Sequence, residues 1–489
     1  MKNWQKIILV LALIGTAVLI YSPHFGYRFP FHIDEWYHIE QSIKLGNFLQ
    51  NLAAGPFYGF EGGFDLLLFI LSKFFNLVIA YRFLPAVWGC ISALVLFYVT
   101  HKKTKNDFFA ALWAVVFFAS IKSNVNLTGL WFFTPLSFAL PFIFLYVYFF
   151  TEGVLNQNRR LILASLVIMI ILLPVHAISV LFALPALLIF SLFNFRYFLK
   201  EYKFFLWFLL VPILGILSYK YSLALPWPQL ADSAWNNLHF NYGWGVVEIK
   251  NSWLEIYSGI GYLLAGIGGL FILLTPEVRK HYSIYLIWPF TLLILIMIYR
   301  FFGVSYLSPY QRNMYYLAIS LPLLSAFGLK YLLTALTGPP DQSRSADKRL
   351  IVLSRTASIL LILVVFSLTF KSYYKMPESV RLYKLINESD YAALQFLAQV
   401  PPATVLALPE VSNALYPVAQ KQPVGSIYFS GDRQKVENFF TAPDCKAKRV
   451  VLDQANAKYV LSRWKMNCGW ELIYDKDNNY IYRYQSQNE

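Results

Sequence analysis

The stretch "IILVLALIGTAVLIYSPHFGYRFPFHIDEWYH", residues 7–38, decides the fold: a long apolar run ends, and two adjacent carboxylates, Asp34 and Glu35, soon follow. Crossing the hydrocarbon core of a membrane takes about 20 mostly apolar residues, and residues 5–22 meet that requirement. Two lysines precede the run, as in a signal peptide, but "YSPHFGYRFP" offers no small-residue cleavage site. The sequence therefore predicts a retained transmembrane helix over 5–22.

The whole chain has the composition of a polytopic membrane protein. Of its 489 residues, 58% are hydrophobic and 14% are charged, whereas about 25% of a soluble domain is charged. The mean hydropathy of +0.50 agrees. The fold class is therefore mainly α. The hydrophobic runs predict about eleven transmembrane helices, at 5–22, 79–100, 107–122, 133–151, 160–175, 177–194, 204–222, 255–275, 282–300, 313–336 and 350–370.

The net charge of +15 does not indicate nucleic-acid binding, because the basic residues follow a membrane topology. With the N-terminus in the cytoplasm, this topology predicts a multi-pass protein of the cytoplasmic (inner) membrane. Residues 23–78 then form the first outer loop, and everything after 371 is extracytoplasmic. The basic short loops, all on the cytoplasmic side, are "HKKTK" (101–105), "NQNRR" (156–160), "RYFLKEYK" (196–203), "EVRKH" (277–281) and "DQSRSADKR" (341–349).

The segment "GGFDLLLFILSKFF", 62–75, is apolar but short. Counting it as a full span would place "HKKTK" on the outer side, against the charge pattern. It is therefore predicted to be a re-entrant or interfacial helix within the first outer loop.

The tail changes character, which predicts two domains: a transmembrane domain over 1–370 and a small extracytoplasmic α/β domain over 371–489. "SDYAALQFLAQV" is typical of an amphipathic helix, and "WELIYDKDNNYIYRY" (470–484) of a β-hairpin that turns at "KDNN". Cys445 and Cys468 also lie in this tail. Outside the cytoplasm they either pair or remain two free thiols, and the spacing does not decide between these.

The stretch that starts with Asp34 and Glu35, "DEWYHIEQSIKLGNFL", has helical periodicity. Trp36, Ile39 and Ile43 fall on one face and Asp34 and His38 on the opposite one. This pattern predicts an amphipathic helix lying on the bilayer surface.

The acids of this helix have two interpretations. Carboxylates in a first helical turn stabilise the helix dipole, and Asp is a good N-cap. Alternatively, Asp34 is a general base, or a metal ligand beside His38 four residues later.

Several stretches resemble the GT-C superfamily of polytopic glycosyltransferases. They are the first helix followed by "DEWYH", then "YRFLPAVWGCISALVLFYVTHKKTKNDFFAALWAVVFFAS" (81–120), and "SPYQRNMYYLAISLPLLSAFGLKYL" (308–332). The chain looks most like the polyprenyl-phosphate-sugar-dependent branch, which includes protein O-mannosyltransferases and aminoarabinose transferases.

The resemblance implies an inverting glycosyltransferase that works at the outer face of the membrane. It would move a sugar from a polyprenyl-phosphate-linked donor to a hydroxyl of a glycan, lipid or protein acceptor. Asp34 would be the catalytic acidic residue and Glu35 its partner. No cofactor is certain, and a divalent metal held by Asp34 and His38 is left open.

Basic residues on the outer side are candidates for binding the donor phosphate. Arg312 and Arg82 occupy positions similar to family arginines, and arginine matches phosphate geometry; the alternative is interfacial snorkelling. His176, at a predicted outer hairpin tip, and Lys122 are further candidates, with a structural histidine and a solvated lysine as the alternatives. His38 is the fifth predicted substrate-binding residue.

Two departures from the family pattern put a second catalytic acid, and any metal site, in doubt. The first outer loop reads "AAGPFYGFEGGFD" (53–65), with Glu61 and Asp65 where family members often carry an "HPP"-like segment. The second outer loop, "SNVNLTGLWFFTP", contains neither an acid nor an arginine.

Two other classes of function compete with the transferase. A secondary transporter usually carries ionisable residues near the bilayer midplane, and these spans are almost free of charge. A non-catalytic GT-C-like protein that binds a lipid-linked glycan remains open.

Overall fold

The computed structural model describes residues 1–50, 61–123, 129–222, 253–306, 308–337, 362–369, 383–427 and 431–485, with 228–229, 232, 239–240, 356 and 359–360. The chain divides into two compact units. The first comprises Met1–Ser22 and Pro85–Met376, and the second comprises Pro23–Leu84 and Pro377–Glu489. The segment after the first helix thus folds with the C-terminal residues.

Helices make up most of the regular structure. In chain order they are α1 (Asn3–Tyr21), α2 (Ile33–Gln50), α3 (Gly62–Ser72), α4 (Leu77–Ala80), α5 (Leu84–Lys103), α6 (Phe108–Ala119), α7 (Pro135–Leu155), α8 (Arg159–Phe193), α9 (Phe195–Lys200), α10 (Tyr202–Ser222), α11 (Gly259–Leu274), α12 (Pro276–Tyr282), α13 (Ile284–Phe302), α14 (Tyr310–Thr337), α15 (Glu388–Gln399), α16 (Pro409–Ala419), α17 (Arg433–Thr441) and α18 (Cys445–Ala455). The strands are β1 (His239–Phe240), β2 (Ser305–Tyr306), β3 (Thr404–Ala407), β4 (Gln422–Pro423), β5 (Ala457–Ser462), β6 (Glu471–Lys476) and β7 (Asn479–Arg483).

The first unit is helical and membrane-spanning in type. Within the described residues, six helices are long and apolar enough to cross a membrane, or seven if α11 and α12, bent by 115°, form one span. α3, α6 and the apolar part of α10 are shorter. The predicted count of about eleven is therefore not confirmed, and the predicted last span, 350–370, lies mostly outside the described residues.

α8 is bent back on itself at His176. A straight helix of its 35 residues would be about 52 Å long. Arg159 at its start nevertheless forms an ion pair with Glu201 beyond its end, and the chain from Phe193 to Glu201 can reach at most about 28 Å. His176 interrupts the helix with φ −160° and ψ 84°. The two halves fit the separate spans predicted at 160–175 and 177–194.

α11 and α14 cross in backbone contact, which fixes α14 in place. A Cβ on Gly268 would collide with the Leu324 carbonyl, and one on Gly328 would collide with the Leu264 carbonyl. Such small-residue crossings are the usual way for membrane helices to approach closely. The Ser325 hydroxyl also donates to the Gly261 carbonyl across this crossing, at 2.8 Å.

The second unit is an α/β sandwich. Its five strands have the order β4-β3-β5-β7-β6, with β3 parallel to β4 and β5, and β7 antiparallel to β5 and β6. Alternate strand residues face opposite layers, as the pleat requires: Val405 packs with α2, α15 and α16, and Leu406 packs with α17 and α18. The predicted amphipathic helix and hairpin are confirmed by α15 and by β6 and β7. Asp477 and Asn478 form the hairpin turn with positive φ, as a two-residue turn requires.

Cys445 and Cys468 form a disulfide that ties the start of α18 to the loop before β6. Their Cα atoms are 5.4 Å apart, within the ordinary range for a bridge. Of the two alternatives left by the sequence, the structure contains the paired form.

α2 is the helix that the sequence predicted, but its apolar face was assigned the wrong neighbour. Trp36 is fully buried in the core of the second unit and Ile39 is 1% exposed. The face expected on the bilayer surface thus packs against protein, in a core that includes residues of α15 and α16. Periodicity reveals which face of a helix is apolar and cannot reveal what covers it.

Candidate active site

Asp34 lies in the first turn of α2, with its side chain 24% exposed. The backbone N–H of Asp34 donates to Nδ1 of His32 at 3.2 Å. That nitrogen is therefore an acceptor, so its 3.5 Å contact with Asp34 Oδ2 is not a hydrogen bond. In the described parts of the chain, no donor is bonded to the Asp34 carboxylate. It is a reachable acceptor at a helix N-terminus, where the dipole stabilises negative charge.

Glu35 is fully buried and holds the start of α2 together. Its Oε2 accepts the backbone N–H groups of Phe31 at 2.7 Å and His32 at 3.1 Å. Those amides precede the helix and would otherwise lack partners in a buried setting. Glu35 thus sets the backbone that presents Asp34.

His38 is buried between two acids that belong to the following segment. Its Nδ1 lies 2.9 Å from Asp65 Oδ1, and its Nε2 lies 3.3 Å from Glu61 Oε2. Burial alone would lower the pKa of His38, but the hydrogen bonds that its ring donates to Asp65 and Glu61 outweigh burial and raise the pKa to about 10. The His38 imidazolium therefore joins α2 to α3 through these two ion pairs. Glu61 and Asp65, which the sequence showed as a departure from the family pattern, are its partners.

The geometry around His38 does not suit a metal ion. An imidazolium has no lone pair to give a metal, and both ring nitrogens face carboxylates. No group of three or more His, Cys, Asp or Glu side chains is arranged to hold a metal ion anywhere in the described ranges.

Arg82 lies between α4 and α5, with its Nε buried and no hydrogen-bond partner within the described structure. Its guanidinium carbon sits 4.3 Å from the centre of the Phe83 ring. Arg82 belongs to the same unit as Asp34, Glu35 and His38.

In the first unit, His176 is part of a buried chain of polar side chains. Its Nδ1 lies 2.6 Å from Ser179 Oγ, which in turn lies 2.5 Å from the hydroxyl of Tyr316. The Tyr316 hydroxyl is also 3.4 Å from the same nitrogen of His176. Ser179 and Tyr316 were not predicted from the sequence, because only the fold brings α14 to the bend of α8. Helical spacing could have suggested only the contact with Ser179, because Ser179 follows His176 by three residues.

The remaining predicted basic residues are also in the first unit. Arg312 lies in the first turn of α14. The Lys122 ammonium donates to the Leu254 carbonyl at 2.9 Å, and its backbone N–H donates to the Ile256 carbonyl at 2.8 Å. Lys122 therefore contacts the chain just before α11 and is not simply solvated, and its role in substrate binding stays a prediction.

The sequence matches no family model and no curated protein, but the fold matches solved structures of the oligosaccharyltransferase of Archaeoglobus fulgidus. The apo form aligns with a TM-score of 0.63 and 13% identity, over 94% of this chain and 70% of that chain. The complex with Zn and sulfate gives 0.59 and 13%, over 93% and 68%. The complex of this enzyme, AglB, with an inhibitory peptide and a dolichol-phosphate gives 0.57 and 14%, over 94% and 70%.

These likenesses show the fold. The chain shares the fold of AglB, and its resemblance to the GT-C superfamily stays a prediction. The closer resemblance to O-mannosyltransferases and aminoarabinose transferases stays a prediction. The Zn, the peptide and the dolichol-phosphate are ligands of the archaeal enzyme.

Proposed function

We propose that this protein is an inverting glycosyltransferase that uses a polyprenyl-phosphate-linked sugar. The observation that carries the proposal is Asp34: a partly exposed carboxylate, held rigidly at the start of a buried helix, in a chain with the fold of AglB. The neighbouring acids Glu35 and Asp65 are buried and bonded to protein groups. Asp34 is thus the acid of this cluster best placed to meet a substrate.

The proposed step is a single displacement at the anomeric carbon. The acceptor hydroxyl oxygen attacks from the face opposite the phosphate, and its proton passes to the Asp34 carboxylate. The bond between the anomeric carbon and the phosphate oxygen breaks, and the polyprenyl phosphate leaves with the electron pair. A phosphate is already a good leaving group, so the protein needs only a base, and cations that stabilise the developing charge.

Glu35 and His38 support this step as positioning residues in our proposal, which narrows the predicted catalytic role of Glu35 and the predicted substrate contact of His38. Glu35 fixes the backbone before Asp34, and the His38 ion pairs fix the helix that carries it. Preorganisation of this kind keeps a base within hydrogen-bond reach of its proton.

The donor phosphate is proposed to meet Arg82, which belongs to the same unit as Asp34. Arg312, His176 and Lys122, in the first unit, stay predicted substrate-binding residues. Arg82 has the strongest support, because its buried Nε lacks a hydrogen-bond partner among the described residues. Lys122 has the weakest, because the Leu254 carbonyl already accepts from its ammonium.

The proposed location is the cytoplasmic (inner) membrane, with the N-terminus inside and the C-terminal domain outside. The positive-inside pattern supports this orientation. The Cys445–Cys468 disulfide supports it independently, since disulfides persist in oxidising compartments. Cysteines introduced near residues 103 and 480 should react with a membrane-impermeant reagent from opposite sides, and labelling from the same side would contradict this orientation.

The decisive experiment is transfer by Asp34→Asn in proteoliposomes, with synthetic polyprenyl-phosphate sugars as donors and release of polyprenyl phosphate as the readout. Asparagine keeps the shape and removes the base, so the rate should fall by about 10²-fold or more. Asp475→Asn is the matched control, because it removes an exposed carboxylate elsewhere in the same unit. Equal transfer rates for Asp34→Asn and the parent would contradict the assignment of Asp34 as the catalytic base.

The same assay separates the transferase from a non-catalytic glycan-binding protein. A binding protein would retain the donor and release no polyprenyl phosphate from any donor and acceptor combination. The acceptors tested should include sugar and lipid hydroxyls and also peptides, because the archaeal structure contains a peptide.

A further inference from the structure

The loop between β5 and β6, residues 462–469 (the Trp464 loop), presents a tryptophan to solvent. Trp464 is 48% exposed, whereas tryptophans in folded domains are highly buried on average. Its ring lies against that of Phe440 on α17, with centroids 5.5 Å apart and planes at 70°. About half of the surface of Trp464 is therefore open to a ligand.

The Trp464 loop is fixed to the rest of the second unit at several points. The Arg463 guanidinium donates to both carboxylate oxygens of the fully buried Asp390, at 3.2 Å and 2.6 Å. The backbone N–H of Met466 donates to the Tyr482 hydroxyl at 2.7 Å. Two further ties are the Lys465–Asp475 ion pair and the Cys445–Cys468 disulfide.

The backbone of Trp464 is held as well. Its N–H donates to the Ser462 hydroxyl oxygen at 3.2 Å, and the same hydroxyl donates to the Trp464 carbonyl at 2.8 Å. A single exposed apolar side chain needs no explanation by itself. A tryptophan on a loop anchored at both sides is different, because covering it costs little additional conformational entropy. Trp464 is thus preorganised for binding.

The apolar surface at Trp464 is too small for a protein partner and too isolated for a bilayer. A tryptophan side chain has about 150–250 Å² of surface, so the open half amounts to roughly 100 Å², against about 800 Å² per partner in a stable protein interface. The exposed side chains of α17 and α18, all of whose residues are described, are polar except that of Val450. Insertion into a bilayer surface takes a continuous apolar helix face.

The charged side chains beside Trp464 and on α17 already have partners. Their ion pairs are Arg463–Asp390, Lys465–Asp475, Arg433–Glu437 and Lys435–Asp432. Each of these pairs has no net charge, so they give the surface little preference for an anionic or a cationic ligand. A small, neutral ligand with an apolar face fits this surface best.

We propose that the Trp464 loop is a carbohydrate-binding site whose ligand is a neutral glycan, with one sugar ring stacked on the Trp464 indole. A pyranose ring presents a face of C–H groups, and its hydroxyls point outward around the rim. The negative face of an aromatic ring attracts such C–H groups. The exposed amide of Asn467 and the ammonium of Lys465, on the same loop, supply hydrogen-bond partners for the hydroxyls.

The glycan site is separate from the proposed catalytic base. Phe440, against which Trp464 lies, packs in the layer of α17 and α18 on one side of the sheet. Trp36 of α2, the helix that carries Asp34, packs in the layer on the other side. The glycan site therefore goes beyond the transfer reaction and does not rest on it: it retains a glycan chain at the second unit without acting on it.

The test measures glycan binding by the full-length protein in phosphatidylcholine nanodiscs. The neutral probes are maltohexaose, mannohexaose and chitohexaose, and hexagalacturonate is the acidic probe. Saturation-transfer NMR gives the dissociation constants, and hydroxyl-radical footprinting with mass spectrometry shows whether a bound probe protects Trp464. At least one neutral probe should bind and protect Trp464. Trp464→Ala should weaken its binding by about tenfold or more, because the stacking face is lost.

Trp207→Ala is the matched control, because Trp207 in the first unit is also 48% exposed; this variant should bind the neutral probe like the parent. Trp464→Tyr keeps an aromatic face and should recover part of the affinity that Trp464→Ala loses. Thermal unfolding shows that each variant is folded. The footprint at Trp464 should be the same in Asp34→Asn and in the parent, so the glycan site and the transfer activity can fail separately.

Four outcomes would overturn the glycan site or its ligand. The site is wrong if the parent binds none of the neutral probes at millimolar concentration, or if folded Trp464→Ala binds them like the parent. Tighter binding of hexagalacturonate than of every neutral probe overturns the assignment of a neutral glycan. Protection of Trp464 in nanodiscs without any sugar, and its loss in detergent, makes the bilayer the partner of Trp464.

Discussion

Two buried histidines, one in each unit, lie in opposite environments. His38 is held between the carboxylates of Asp65 and Glu61. His176 is held by the hydroxyls of Ser179 and Tyr316. Both side chains are at most 6% exposed, so burial does not distinguish them.

The groups that contact the two histidines distinguish His38 from His176. Carboxylates stabilise an imidazolium, and removing it would leave buried negative charge without compensation. Hydroxyls can donate or accept, so they hold an imidazole in place without requiring a charge on it. His38 is therefore a structural ion pair that supports Asp34, whereas the hydroxyl partners of His176 do not require a charge on its ring.

The largest expected effect on stability is that of the substitution His38→Phe. Two carboxylates would lose their buried counter-charge, which should destabilise the second unit by about 3–5 kcal/mol. Thermal unfolding in detergent measures the change in Tm. His281→Phe, at an exposed position on α12, is the control and should shift the Tm little. Equal Tm values for the two variants would show that the His38 ion pairs are not stabilising.

The stability that the His38 ion pairs contribute should also depend on pH, with a smaller effect. Because the pKa of His38 is raised from 6.5 to about 10, its contribution to stability is complete below pH 6.5 and is lost as the pH rises towards 10. The difference in stability between the parent and His38→Gln should therefore shrink across that window. A difference that grew with pH would mean that His38 is neutral in the folded protein.

The smallest effect is expected at the hydroxyl cluster of His176. Ser179→Ala and Tyr316→Phe each remove a hydroxyl that takes part in two neutral hydrogen bonds and should cost about 1–2 kcal/mol in unfolding free energy. If His176 contacts the donor, as the sequence predicts, both variants should raise KM more than they lower kcat. A stability loss as large as that of His38→Phe would erase the contrast between the two histidines.

Local patterns predicted the local elements of the structure well. The hairpin at Asp477 and Asn478 and the helix beginning at Ile33 both follow from periodicity and turn chemistry. These features depend on neighbours within a few residues, which the sequence displays directly.

Contacts between distant segments escaped prediction. Periodicity placed Asp34 and His38 on one helical face, yet both nitrogens of His38 face acids on a later segment. Trp36 was assigned to lipid and packs in a protein core. The hydrophobic periodicity of a helix does not show what its apolar face contacts, so the same pattern fits a bilayer and a protein core equally.

The sequence by itself determined that this is a polytopic membrane protein with an acidic helix after its first span and a small α/β region at its end. Hydrophobic length and turn chemistry are local properties, which is why they could be read directly. The tertiary structure alone decided which unit the acidic helix joins, which groups neutralise His38, and that Tyr316 meets His176. Those outcomes depend on burial and charge pairing between residues far apart in the chain, and only a folded chain brings such residues together.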